Sequence, residues 1–218
     1  MLYKEVVDLS WKYTNHMLVF PGGVPMKIRK NGDLGKGDPC EITTMDGFCI
    51  HFGTHLDCPS HMLTGGFRAE DKEIAFFVGR GRVLDCSHYR AGEVIGQEVL
   101  KGQSLEGIEF LLFYTGWSKK FGTKEQYGRF PVLELQFAKW LGRHPGLKGF
   151  GIETNNCDHI GDEMYPIHHA LLDGNSKILY EALCNIDKLL GKEFIFIGAP
   201  ISIDGAEGGP CRALALVL

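Results

Sequence analysis

Residues 51–61 read HFGTHLDCPSH: three imidazoles and a carboxylate in eleven positions, with a glycine and a proline between them. Neutral imidazoles and a carboxylate suit Zn²⁺, and also Mn²⁺ or Fe²⁺. His51, His55, Asp57 and His61 all occupy odd positions. In an extended chain alternate side chains share a side, so these four would face one way and Phe52, Leu56 and Cys58 the other. A helix would also pair His51 with His55 at i and i+4, but Gly53, Thr54 and Pro59 oppose a helix. A straight strand over this segment spans roughly 33 Å, too long for one ion. The chain is therefore expected to bend, and Gly53 and Pro59 are the residues that allow it. A lone histidine is usually a surface or satisfied core residue; three with an aspartate in one parity class point to a metal centre.

A second constellation, CDHIGDEMYPIHHALLDGNSKILYEAL (157–183), holds Asp158, His159, Asp162, Glu163, His168, His169 and Glu181. Either His168 or His169 is placed to supply another imidazole. Glu181 lies in the apolar run ILYEAL, where a buried carboxylate is costly unless paired or metal-bound. The local pattern alone favours a solvated strand face for it.

Other catalytic patterns are weak. There is no G-x-S-x-G elbow and no Walker loop. Cys157 and Cys58 have histidines nearby, but Cys58 has the wrong parity to face the cluster. GGPCRA (208–213) reads as a turn before the last strand. Phe20, Trp117, Phe121 and Tyr127 could line an aromatic pocket, with core packing the commoner role for such residues.

The elements that must position these groups are mostly strands. EVVDLS (5–10), GRVLDCS (81–87), EFLLFYTG (109–116), KGFGIET (148–154), KILYEAL (177–183), EFIFIGAPISI (193–203) and RALALVL (212–218) are short and apolar, bounded by Gly, Pro, Asn or Asp. Helical signals are fewer. PVLELQFAKWLGRHPG (131–146) starts at Pro and ends at Gly, with Leu133, Phe137, Trp140 and Leu141 at helical spacing. GQEVLKG (96–102) and PIHHALLDG (166–174) read as short helices. The pattern predicts a mixed α/β domain, rich in strand and poor in helix, over residues 1–218.

Composition narrows the function classes. The 218 residues are 44% hydrophobic and 23% charged, with a formal net charge of -4. KIRK (27–30) and SKK (118–120) are short enough to be solvated loops, so no nucleic-acid footprint stands out. No apolar run reaches membrane-spanning length, and the opening residues lack a signal peptide's apolar core. Seven widely spaced cysteines without a C-x-x-C argue against disulfides or a cysteine zinc site. A cytoplasmic protein with reduced thiols, acting on a small molecule rather than a nucleic acid or membrane, is expected.

HFGTHLDCPSH resembles the H-x-G-T-H-x-D-x-P-x-H signature of the cyclase family of metal-dependent hydrolases, which includes bacterial kynurenine formamidases and isatin hydrolases. The likeness runs through VVDLS, VFPGG, FYTGW (113–117), GFGIET, CDHIGDEMYPIHHALL, ILYEALCNIDKL and APISIDGAEGGPCRALAL. It implies a swivelling β/β/α fold with a mixed sheet, assembled as a homodimer or homotetramer. It implies that His51, His55, Asp57, His168 and Glu181 bind one or two divalent ions, zinc before manganese, and that His61 carries protons. The chain departs from the common pattern at Gly23 (for Asp), Met62 (for Phe), Tyr114 (for Arg) and Glu153 (for Asp). None of these is an expected ligand; all bear on the substrate.

The chemistry that follows is hydrolysis of an amide, formamide or lactam C–N bond in a small, aromatic molecule, with N-formylkynurenine-like compounds first. A divalent ion lowers the pKa of water from 15.7 toward about 7 and polarises a carbonyl. The departing nitrogen needs a proton, which His61 is placed to give. A metal-dependent lyase or dehydratase, or a module with a structural metal, are the alternatives. Structural zinc sites are normally closed and cysteine-rich, which five non-thiolate candidates do not match.

Overall fold

Seven of the chain's short apolar runs, with two three-residue strands at one edge, are laid side by side in one curled mixed sheet. The computed structural model describes residues 2–218. Its strands are β1 (Glu5–Asp8), β2 (Lys27–Gly32), β3 (Ile42–Asp46), β4 (His55–Asp57), β5 (Val78–Asp85), β6 (Val94–Ile95), β7 (Phe110–Tyr114), β8 (Val132–Leu133), β9 (Gly149–Ile152), β10 (Ile178–Glu181), β11 (Phe194–Ile197), β12 (Gly208–Pro210) and β13 (Leu214–Val217). The α-helices among the described residues are α1 (Leu135–Arg143) and α2 (Pro166–Leu172). The mixed α/β class with few helices is as the sequence predicts. No helix among the described residues is long and apolar enough to cross a membrane.

The large sheet runs β1-β13-β11-β5-β7-β9-β10-β4-β12. Its middle, β5-β7-β9-β10, is parallel. The pairs on either side are antiparallel. Parallel strands are covered on both faces, which is why β7 and β10 are buried along their whole length. Alternation divides the core in two. Leu111, Phe113, Phe150 and Leu179 pack under the helices with Phe137, Leu141 and Leu171. Phe110, Leu112, Ile178, Tyr180 and Leu56 point the other way, into a second cluster with Phe194 and Phe196. Each fully buried Phe or Leu contributes about 1.5–3 kcal/mol. In this second cluster only glycine fits at Gly81, where a Cβ would lie 2.1 Å from the Phe194 ring.

All seven predicted strands form, with trimmed or shifted ends. The 193–203 run stops at Ile197, and the 81–87 run begins earlier, at Val78. The expected helix at 131–146 starts later: Leu133 sits in β8, which pairs with β6, and Trp140 remains 39% exposed while Phe137 and Leu141 are buried. The segment 96–102 forms a single 3₁₀ turn over Gln97–Leu100. KIRK is not a loop. It opens β2, which pairs with β3 in an exposed hairpin held by Arg29–Asp46 and Lys30–Glu41 ion pairs. Asn15 anchors that hairpin through both polar groups of the Ile28 backbone. GGPCRA is more than a turn, since Gly208–Pro210 forms β12 against β4. The cysteines are all free; Cys58, Cys86, Cys157, Cys184 and Cys211 are buried.

Candidate metal centre

The expectation of one extended face over 51–61 holds only in part. Strand geometry is confined to β4, so only His55 and Asp57 share a face by alternation. The bend is where glycine permits it: Gly53 has φ +63°, and a Cβ there would meet the Tyr13 ring at 2.8 Å. This turn folds His51 back until its Nδ1 lies 2.7 Å from Asp57 Oδ1. On the other side Pro59 begins a 3₁₀ turn, Pro59–His61, which returns His61 so that its ring centroid lies 4.2 Å from that of His51. Leu56 and Cys58 are buried in the cluster on the far side, as alternation predicts, whereas Phe52 is buried on the same pocket wall as His51.

Sheet register brings in the second segment. Antiparallel pairing sets Glu181 opposite His55 and Leu179 opposite Asp57. Glu181 has the parity of Leu179, which faces the helices, and α2 lies over that face. The solvated face expected from the local pattern of Glu181 is therefore wrong: the residue is 4% exposed. The run around it is apolar because the strand is central, so local sequence could not show that its polar position meets other polar groups. Helix α2 also resolves the choice between adjacent histidines. His168 is buried, whereas His169 turns outward and pairs with Asp173 at 2.8 Å.

Four buried groups thus converge. His55 Nε2 lies 3.5 Å from Asp57 Oδ1 and 3.7 Å from Glu181 Oε2. His168 Nε2 lies 3.7 Å from Asp57 Oδ2 and 3.5 Å from Glu181 Oε1. These separations are too long for good hydrogen bonds. They match donors around one ion: bonds of about 2.1 Å in a tetrahedral shell set neighbouring ligands about 3.4 Å apart. Glu181 Oε1 is buried with no hydrogen-bond partner. A buried carboxylate oxygen without a donor is costly, and a cation removes the cost.

The outward nitrogens of both imidazoles are tied down, leaving each Nε2 aimed inward. His55 Nδ1 donates to the Gly53 carbonyl at 2.9 Å, and His168 Nδ1 donates to Asp158 Oδ2 at 2.7 Å. This is the support that metal-ligating histidines use to fix tautomer and orientation. Asp158 also accepts from the Ile167 and His168 backbone amides at the start of α2.

The site attracts positive charge. Burial alone would raise Asp57, but His55, His168 and His51 hold it well below the usual carboxylate range. Burial opposes charge on His51, yet Asp57 and Glu207 push its pKa up to about 9. Burial likewise opposes charge on His168; Cys157, Asp158 and Asp57 outweigh it and raise its pKa well above the ordinary value.

Glu207 is the neighbour that sequence reasoning missed. Its Oε1 lies 3.1 Å from His51 Nε2, because β12 pairs with β4 immediately after it and its carbonyl accepts from Cys58 N. The only signal was its place beside the Gly-Gly-Pro run. Asp158 was visible within the second constellation, but its link to His168 depends on the path between them. Asp162 and Glu163 are exposed and outside the cluster.

Neither cysteine is poised as a nucleophile. Burial pushes the Cys58 thiol up to about 12 on the far face. It raises Cys157 as well, despite a 3.1 Å approach to His168 Nδ1. Glu153, one of the departures, is occupied structurally. It accepts from the Thr115, Gly116 and Trp117 amides and from the Thr115 and Ser118 hydroxyls. Among the aromatics, Phe121 stacks on Trp11 at 4.0 Å and Trp117 packs edge-on against Phe130.

Residues 7–159, well over half of the chain, match the family model Cyclase, described as "Putative cyclase". The kynurenine formamidase of Bacillus cereus is 26% identical over 215 residues, covering 98% of each chain. That of Bacillus anthracis is 28% identical over 208 residues, covering 95% of each. Among solved structures, isatin hydrolase A from Ralstonia solanacearum superposes with a TM-score of 0.84 at 25% identity, covering 98% of this chain and 92% of that one.

Proposed function

This chain belongs to the Cyclase family and is by that kinship a metal-dependent hydrolase, and on that premise we propose that it cleaves the amide, formamide or lactam C–N bond of a small aromatic molecule. The observation that carries the reading is the buried set His55, Asp57, His168 and Glu181, with inward donors at ligand spacing and one carboxylate oxygen unpartnered. These four would hold the divalent ion, with His51 joining them where one of its ring nitrogens exchanges Asp57 or Glu207 for the ion; zinc fits the imidazole and carboxylate donors best, and manganese takes the same donors. When bound, the ion supplies a Lewis acid at the carbonyl oxygen and lowers the pKa of attacking water.

The remaining work falls to the chain. His61 is the most exposed of the group and lies beside His51, 6.0 Å by ring centroid from His168. Desolvation by its neighbours holds its pKa below the ordinary imidazole value, against the pull of Asp57. It therefore accepts a proton as water attacks the carbonyl carbon. It returns that proton to nitrogen as the C–N bond breaks, giving a carboxylic acid and an amine. Asp57, fixed by His51, and Glu207 on the opposite nitrogen of that ring keep the imidazole edge rigid.

The relatives are a kynurenine formamidase and an isatin hydrolase, so N-formylkynurenine and isatin are the first substrates to assay. Protein stripped by chelator and reloaded with Zn²⁺ or Mn²⁺ is expected to regain turnover on a formamide or lactam in proportion to metal bound. Turnover unaffected by stripping, or tight metal without turnover on a broad amide panel, contradicts the reading.

A further inference from the structure

A pocket of about 370 Å³ opens directly against His51. Its walls come from two loops that flank the β2–β3 hairpin: Val19, Phe20 and Val24 on one, Phe48 and Phe52 on the other. The volume lies at the small end of ligand pockets and suits one ring with a short substituent. A substrate whose carbonyl lies at the metal centre has this pocket beside it for the rest of the molecule.

The walls are apolar and held in place. Phe20 meets Tyr127 edge-on at 5.9 Å, and Phe48 meets Tyr13 edge-on at 5.6 Å. Phe52 stacks along Tyr13, whose hydroxyl donates to the Phe52 carbonyl at 2.9 Å. Among the described residues lining the pocket, none is Asp, Glu, Lys or Arg. The nearest acid in sequence, Asp46, is engaged by Arg29 at 2.9 Å. Gly23, also on the wall, presents no side chain, and its amide closes the turn by donating to Phe20 O at 2.7 Å.

An amino-acid tail, with its ammonium and carboxylate, would find no unpaired opposite charge there: the one basic side chain on the wall, His51, is already engaged by Asp57 at 2.7 Å and by Glu207 at 3.1 Å. Burying either group unpaired costs several kcal/mol, whereas a neutral ring or alkyl group gains from the same walls. We propose that this pocket selects neutral, apolar-tailed aromatic amides and discriminates against substrates bearing an amino-acid side arm. The inference rests on the amide-hydrolase reading above and narrows its substrate class.

A matched pair of probes tests it. N-formylkynurenine and 2′-formamidoacetophenone share the formanilide ring and ketone, but only the first carries the zwitterionic arm. Their product amines, kynurenine and 2′-aminoacetophenone, are titrated into the metal-loaded protein by calorimetry, independently of turnover. The neutral amine is expected to bind at least tenfold tighter, and the neutral formamide to show at least tenfold higher kcat/KM. Val24→Asp, at an exposed position on the rim, is expected to narrow both ratios by weakening the neutral ligand. Kynurenine binding equally or more tightly, or neither amine binding, overturns the inference. Preferential binding of the neutral amine without hydrolysis of either formamide supports the pocket assignment and contradicts the amide-hydrolase reading instead.

Discussion

Glu181 shows how single residues carry the site. Its carboxylate is buried beside two imidazoles, and one oxygen has no donor. Such a group destabilises the fold unless a cation occupies the space it faces. Glu181→Gln keeps the shape and removes the charge. It is expected to lower metal affinity by at least tenfold, read by competition with a chromophoric chelator, while leaving the protein folded by circular dichroism. His61 has the opposite expectation. His61→Gln is expected to retain the metal and lose turnover by about 10²–10⁴-fold, the usual contribution of a positioned acid–base group. Loss of metal in that variant would make His61 a ligand and overturn the division of roles.

At the scale of elements, the site depends on β4, β10 and the start of α2 being held in register. Asp158 joins the last of these to the centre through two backbone amides and His168 Nδ1. Burial would raise its pKa, but those donors lower it. A carboxylate depressed on folding stabilises above its unfolded value near 3.8, and the contribution disappears as pH falls through the folded value. Asp158→Ala is expected to cost about 3 kcal/mol near neutral pH, as breaking a buried pair does. The difference from wild type should shrink below pH 4 in urea denaturation; a pH-independent difference would assign the loss to packing alone. This element scale is also where the sequence was most and least legible. Runs such as EFLLFYTG have enough length and β-branched or aromatic content to declare themselves strands. The two- and three-residue strands β4, β6, β8 and β12 do not, because their pairing is decided by partners distant in sequence. The eleven-residue motif announced its chemistry, but its shape came from the positive φ at Gly53 and the turn at Pro59 rather than from alternation. Glu207 stayed hidden for the same reason: only the β12–β4 register brings it to His51.

Across the whole molecule, two segments more than a hundred residues apart enclose one cluster, so a bound cation cross-links the antiparallel edge of the sheet to its parallel middle. Ligand that binds only the folded state stabilises it by about 2.7 kcal/mol at a free concentration of 100 Kd. Each kcal/mol corresponds to about 2–4 °C in Tm for a chain of this size. Saturating Zn²⁺ is therefore expected to raise Tm by roughly 5–10 °C in the stripped protein and by much less in Glu181→Gln. Equal shifts in both would place the binding elsewhere. The most direct test is anomalous diffraction at the metal edge from metal-replete crystals. A peak within about 2.0–2.3 Å of donor atoms of His55, Asp57, His168 and Glu181 is the predicted result. Saturated crystals with no peak there, or with the ion outside the space between Asp57 and Glu181, would contradict it.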